Sequence, residues 1–89
     1  MKEISMTQKL ALYETAIETL GMMIAMRSAW IHAERGKINP DETMIKKWLD
    51  EQLNYFIQDE NLTMSDTKKI EEIISTYGPV IREEFSKSA

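Results

Sequence analysis

Residues 6–35 read MTQKLALYETAIETLGMMIAMRSAWIHAER, a stretch of 30 residues without proline. Ser5 and Gln8, just before and inside it, have the spacing of a capping box, in which each side chain binds an otherwise unpaired backbone N–H group. Gly36 follows the stretch and is expected to be the left-handed residue that commonly closes a helix. The sequence therefore predicts one helix over 6–35, about 45 Å long.

Apolar residues recur along this helix at three- and four-residue spacing, in two series that begin at Leu10 and Leu12. Because two residues correspond to about 200° around a helix, we expect two stripes on nearly opposite faces. The first comprises Leu10, Tyr13, Ile17, Leu20, Ile24, Arg27 and Ile31, and the second Leu12, Ala16, Thr19, Met23, Met26, Trp30 and Ala33. The two further helices of the chain can cover only one of these faces. The uncovered face predicts a homodimer whose interface includes Met23, Met26 and Trp30.

Gly21 leaves a second arrangement open. If the long helix breaks there, its halves pack with the remaining helices as a compact, monomeric four-helix bundle. A single glycine lowers the stability of a helix by only about 1 kcal/mol, so the continuous helix and the homodimer are favoured.

A second helix is predicted from Pro40 to about Gln58. Asn39 is a helix-capping residue, and Pro40 fits the first helical position, where its missing N–H group has no intrahelical partner. One broad apolar stripe is expected on this helix, and Trp48, Leu49 and Phe56 of that stripe are expected to attach it to the first helix. The stripe comprises Met44, Ile45, Trp48, Leu49, Leu53 and Phe56.

A third helix is expected to begin near Asp66 and to bend or break at Gly78-Pro79, where proline removes one backbone hydrogen bond. The fold class that follows is all-α. A long N-terminal helix packs with two shorter helices, the last kinked at Gly78-Pro79, in a helical-bundle homodimer. We expect residues 1–89 to form a single helical domain.

The composition excludes several classes of protein. The 89 residues contain no cysteine, which removes disulfide scaffolds and thiolate metal sites. The longest apolar stretch, Leu20 to Met26, falls far short of the roughly 18 residues that span a bilayer, and the N-terminus does not read as a secretory signal. We therefore expect a cytoplasmic protein that does not enter a membrane.

The titratable residues predict no reaction. His32 is the only histidine, and it has no acid placed to orient it. Glu14 and Glu18 share a helix face but lack further ligands for a cation. Arg27 interrupts the first stripe and is expected to reach the surface or to pair with a carboxylate of the second helix or of a second copy. We predict no enzyme, no catalytic residue, no metal site and no cofactor.

Binding to another protein remains the favoured function. Acids at the end of the second helix oppose the helix dipole, which favours cations there, so stability alone does not explain them. We expect an acidic docking face for a basic partner, formed by Asp50, Glu51, Asn54, Asp59 and Glu60. The protein would then act as a regulator, inhibitor, immunity factor or adaptor. The alternative is a small DNA-binding transcriptional regulator, although 11 basic residues against 15 acidic ones make nucleic acid a poor ligand.

Overall fold

A computed structural model describes residues 5–87 and contains three helices, with no β-strand among those residues. Helix α1 spans Met6–Arg35, α2 spans Glu42–Asn61 and α3 spans Thr67–Lys87. The prediction of an all-α fold with one long helix and two shorter ones is confirmed.

Helix α1 is continuous through Gly21, so the alternative with a broken first helix is wrong. Its capping box forms as predicted: Gln8 N–H donates to Ser5 Oγ at 3.1 Å, and Ser5 N–H donates to Gln8 Oε1 at 2.9 Å. Gly36 ends the helix in a right-handed conformation, with φ −79°, rather than in the expected left-handed one. A glycine is therefore not required there by backbone geometry.

Helix α2 begins at Glu42, two residues after the predicted start at Pro40. Asp41, not Asn39, caps the helix, because Met44 N–H donates to Asp41 Oδ1 at 3.0 Å. The backbone N–H of Asp41 donates in turn to Glu34 Oε2 at 3.0 Å, which ties the cap to the end of α1. At its other end α2 continues past Gln58 to Asn61, so the last acids of this segment lie within the helix.

Helix α3 begins after a turn that Asp66 holds in place. The carboxylate of Asp66 accepts hydrogen bonds from the backbone N–H of Thr63 at 2.9 Å and from its hydroxyl at 3.0 Å. These bonds lower the pKa of Asp66 from its ordinary value. The helix then continues through Pro79 as one element, so the helix does not break there. A bend at Gly78-Pro79 stays a prediction.

Helix α1 is the central element, and α2 and α3 each pack against it. The Cα atoms of α2 and α3 do not approach one another within 8 Å, so these two helices meet through side chains only. The resulting molecule is elongated and thin, with Cα extents of 57 × 30 × 16 Å.

Apart from Leu10 and Ala33, which are exposed, the members of both stripes of α1 are buried or half-buried within the single chain, which removes the argument that predicted a homodimer. Leu20 and Arg27 of the first stripe are buried, as are Ala16 and Met23 of the second. The error was geometric: averaged over all seven members at 100° per residue, the stripes lie about 120° apart rather than opposite. Two helices of one chain can flank α1 at that angle.

Met23 and Met26, predicted at a dimer interface, lie in the core of the single chain. Their exposed fractions are 2% and 8%, so they leave little surface for a second copy. Trp30, the third predicted interface residue, is half-buried. The buried core consists of Ala16, Leu20, Met23, Met26, Tyr55, Leu62, Ile70, Ile73 and Ile81.

Candidate functional site

Helix α2 turns a partly polar face toward α1. Glu51, Gln52 and Tyr55 lie on this inner face. The amide nitrogen of Gln52 donates to the carbonyl oxygen of Ile24 at 3.0 Å and to Ser28 Oγ at 2.7 Å. Hydrogen bonds between side chains and backbone therefore fix which way α2 faces, in addition to apolar packing.

Arg27 is the centre of this polar contact. Its Nε donates to Glu51 Oε1 at 3.0 Å, which confirms the predicted ion pair with a carboxylate of the second helix. Its Nη2 donates to the Tyr55 hydroxyl at 3.1 Å, whereas the buried Nη1 has no hydrogen-bond partner. The guanidinium carbon lies 4.5 Å from the ring centroid of Trp30 and 5.3 Å from that of Tyr55. Two aromatic faces thus stabilise a charge that is largely removed from water.

Tyr55 is the inward residue of α2 that the sequence pattern did not identify. It is 7% exposed, and burial raises the pKa of its hydroxyl above the ordinary value. Its ring also meets that of Tyr77 on α3 edge to face, with centroids 5.4 Å apart. A usable signal was present, because Glu51 and Tyr55 are four residues apart and so share the helix face that a buried Arg27 needs.

At the other end of α2 the two tryptophans of the chain meet. The ring centroids of Trp30 and Trp48 are 5.7 Å apart, and Trp30 Nε1 donates to Glu84 Oε2 of α3 at 3.2 Å. Beside them, Glu34 accepts hydrogen bonds from the Asp41 backbone N–H and, at 2.9 Å, from Lys37 Nζ. These two donors hold the pKa of Glu34 below its ordinary value.

The outer face of α2 is apolar and exposed. Four large side chains at helical spacing form it: Leu49, Leu53, Phe56 and Ile57, with exposed fractions of 41%, 58%, 48% and 49%. We name these four residues the α2 strip. The prediction that Leu49 and Phe56 attach α2 to α1 is therefore wrong, and Leu53 of the predicted stripe is exposed as well. The buried side chains on the inner face are Ile45 and Tyr55, with Trp48 half-buried.

The five residues predicted as an acidic docking face are not brought together. Glu51 points inward to Arg27. Asp59 lies beside a shallow groove against α1, whose other lining residues are Tyr13, Glu14, Ile17 and Glu18. Asp50, Asn54 and Glu60 are exposed. At 100° per residue the five positions are distributed around most of α2, with Asp50 at one side of the α2 strip and Glu60 in line with it, beyond Ile57.

His32, the histidine considered for catalysis, is exposed. The Ser28 hydroxyl, one helical turn before it, accepts a hydrogen bond from the Gln52 amide nitrogen at 2.7 Å. Among residues 5–87, no three His, Cys, Asp or Glu side chains are grouped so that they could hold a metal ion. None of the helices described combines the length and apolar character that a bilayer-spanning segment needs.

Comparison with models of protein families, with curated proteins and with solved structures finds no match to this chain. The candidate site is therefore identified from the structure of this chain itself, and its most distinctive surface is the α2 strip.

Proposed function

We propose that this protein is a non-enzymatic binding module that works through contact with another protein chain, and that the α2 strip is its contact surface. The observation that supports the proposal is the orientation of α2. This helix directs Glu51, Gln52 and Tyr55 inward and leaves Leu49, Leu53 and Phe56 in water. If α2 served only the stability of the single chain, its apolar side chains would be expected to face α1 and its polar side chains to face water.

Exposed apolar residues scattered singly need no explanation, but a contiguous set does. The α2 strip places four large side chains on one side of one helix, at positions i, i+4, i+7 and i+8. That is the spacing by which an amphipathic helix anchors in a groove or against another helix. The set therefore favours a protein partner over a small molecule.

The charges around the α2 strip favour a partner that combines an apolar ridge with basic side chains. Helix α2 carries five acids against two lysines, with Asp50 beside the strip and Glu60 at its C-terminal end. The proposed partner is a basic protein or a second copy of this chain, the two partners that the sequence predicts. The contact surface we propose for them is the strip rather than Met23 and Met26, which are buried.

Site-specific photo-crosslinking in the native host tests this function. A photo-reactive amino acid at Leu53 should form covalent adducts with a protein, whether a second copy or another chain. The same amino acid at Ser75, an exposed position of α3, serves as the matched control. Protein adducts that are no more abundant from Leu53 than from Ser75 would overturn the proposal.

A further inference from the structure

We infer that the occupant of the α2 strip is a second copy of this chain, whose α2 lies antiparallel to the first. The inference rests on the proposed function, since it takes the α2 strip as the contact surface. It differs from the homodimer predicted from the sequence, which was assigned to the opposite stripes of α1.

The charges at the two ends of the α2 strip carry the argument. Lys46 lies seven residues before Leu53, and Glu60 lies seven residues after it. Residues seven apart lie on the same side of a helix, so a cation begins the strip and an acid ends it. Each charge is about 10 Å along the helix axis from Leu53.

An antiparallel copy with its two-fold axis at Leu53 brings Lys46 of each chain opposite Glu60 of the other. Both ends of the contact then carry an opposite-charge pair, and Leu49 of each chain faces Ile57 of the other. A parallel copy would instead place lysine against lysine and glutamate against glutamate. Electrostatic complementarity therefore selects the antiparallel arrangement, and the contact is self-complementary, as a two-fold interface must be.

The lysine is available for such a contact. Lys46 Nζ lies 3.9 Å from Asp50 Oδ2, and both side chains are highly exposed, at 81% and 71%. A pair this exposed is weak, so little is lost when Lys46 turns toward another acid. Glu42, one turn further out, would face the second copy beyond the end of its α2 at Asn61. The second copy thus supplies an apolar ridge together with one cation, Lys46, opposite the acid that ends the strip.

Charge reversal tests the pairing. The wild-type chain should sediment as a dimer, at about twice 10.4 kDa, at micromolar concentration. Lys46→Glu alone and Glu60→Lys alone should each weaken the dimer about tenfold, since each creates two like-charge contacts. An equimolar mixture of the two variants should recover wild-type affinity, because both end pairs are again opposite in charge. Lys47→Glu, which points away from the α2 strip, is the matched control and should leave the dimer unchanged.

Two results would overturn the inference. One is a wild-type chain that stays monomeric at high micromolar concentration, and the other is a mixture of the charge variants that dimerises no better than either alone. Circular dichroism spectra establish that each variant is folded. If the chain is monomeric but Leu53 crosslinks to a different protein, the proposed function stands and the second copy is not the occupant.

Discussion

The Tyr55 hydroxyl accepts a 3.1 Å hydrogen bond from the guanidinium of Arg27, and the contact joins α2 to α1 in the interior of the bundle. Arg27 is 8% exposed, and its Nη1 already has no hydrogen-bond partner. The phenolic oxygen is therefore one of only two acceptors, with Glu51, that satisfy this buried cation within residues 5–87.

Replacing Tyr55 by phenylalanine should destabilise the protein by about 1–3 kcal/mol, because a second nitrogen of Arg27 then lacks a partner while the ring remains in place. Urea unfolding monitored by circular dichroism measures the change. Tyr13→Phe, at a half-buried position that makes no such bond to Arg27, is the control. Equal unfolding midpoints for Tyr55→Phe and wild type would show that the hydrogen bond contributes nothing.

The bounds of α1 could be predicted from sequence because their determinants are local. The capping box at Ser5 and Gln8 and the absence of proline fix the helix with no knowledge of the rest of the chain. The inner face of α2 could not be predicted in this way. Hydrophobicity alone ranks Leu49 and Phe56 above Glu51 as buried residues, whereas in the structure Glu51 faces inward, where it pairs with Arg27 of α1.

The candidate site shows the same limit. The sequence predicts a protein-binding surface of acids on the second helix, whereas the surface we propose from the structure is the α2 strip. A helix end near Gln58 would leave Asp59 and Glu60 beyond the helix, but α2 extends to Asn61 and these two acids lie on different sides of it. Which side of α2 faces water depends on tertiary partners such as Ile24 and Ser28, and composition does not contain that information.

Met23 should behave as a core residue of the single chain. Met23→Ala removes a side chain that is 2% exposed and should lower the free energy of unfolding by about 2–5 kcal/mol. Its neighbour Met22 is 37% exposed, so Met22→Ala should lower it by less than about 1 kcal/mol. Thermal melts of both variants at a concentration where the chain is monomeric make the comparison. Similar losses from the two would place Met23 outside the core.

Stability should fall in acid, and Glu34 should account for part of the fall. The Asp41 backbone N–H and Lys37 hold the pKa of Glu34 below its ordinary value in the folded protein. The ionised form therefore stabilises the fold at pH values above the pKa of an unfolded glutamate, about 4.3, and this contribution is lost as the pH falls through the folded pKa. Glu34→Gln should show a smaller loss of melting temperature between pH 6 and about pH 3. A variant whose melting temperature falls as steeply as that of wild type would contradict this role.

The protein should not bind duplex DNA with the tight, salt-sensitive affinity of a DNA-binding protein. Helix α2 has a net charge of −3, from five acids and two lysines, while α1 and α3 each carry equal numbers of acids and Lys or Arg side chains. One of the three cations of α1 is the buried Arg27. No helix therefore offers an excess of cations to replace the counterions of the phosphate backbone. Gel-shift assays at low salt measure this directly, and tight binding that weakens steeply with added salt would favour the DNA-binding alternative.

The two faces of α2 should respond in opposite ways to truncation of an aromatic residue. Trp48 packs against Trp30 and is half-buried, so Trp48→Ala should destabilise the monomer by about 2 kcal/mol. Phe56 is 48% exposed on the α2 strip, so Phe56→Ala should change monomer stability by less than about 1 kcal/mol.

The contact with a second chain should show the reverse order, because Phe56 belongs to the proposed contact surface and Trp48 does not. Urea unfolding at high dilution measures the monomer, and sedimentation at micromolar concentration measures the assembly. If Phe56→Ala destabilises the dilute monomer as much as Trp48→Ala does, Phe56 is part of the core and the α2 strip is not a free surface. If instead the loss appears only in the concentrated sample, the apolar side chains of the strip serve association rather than the fold of the single chain.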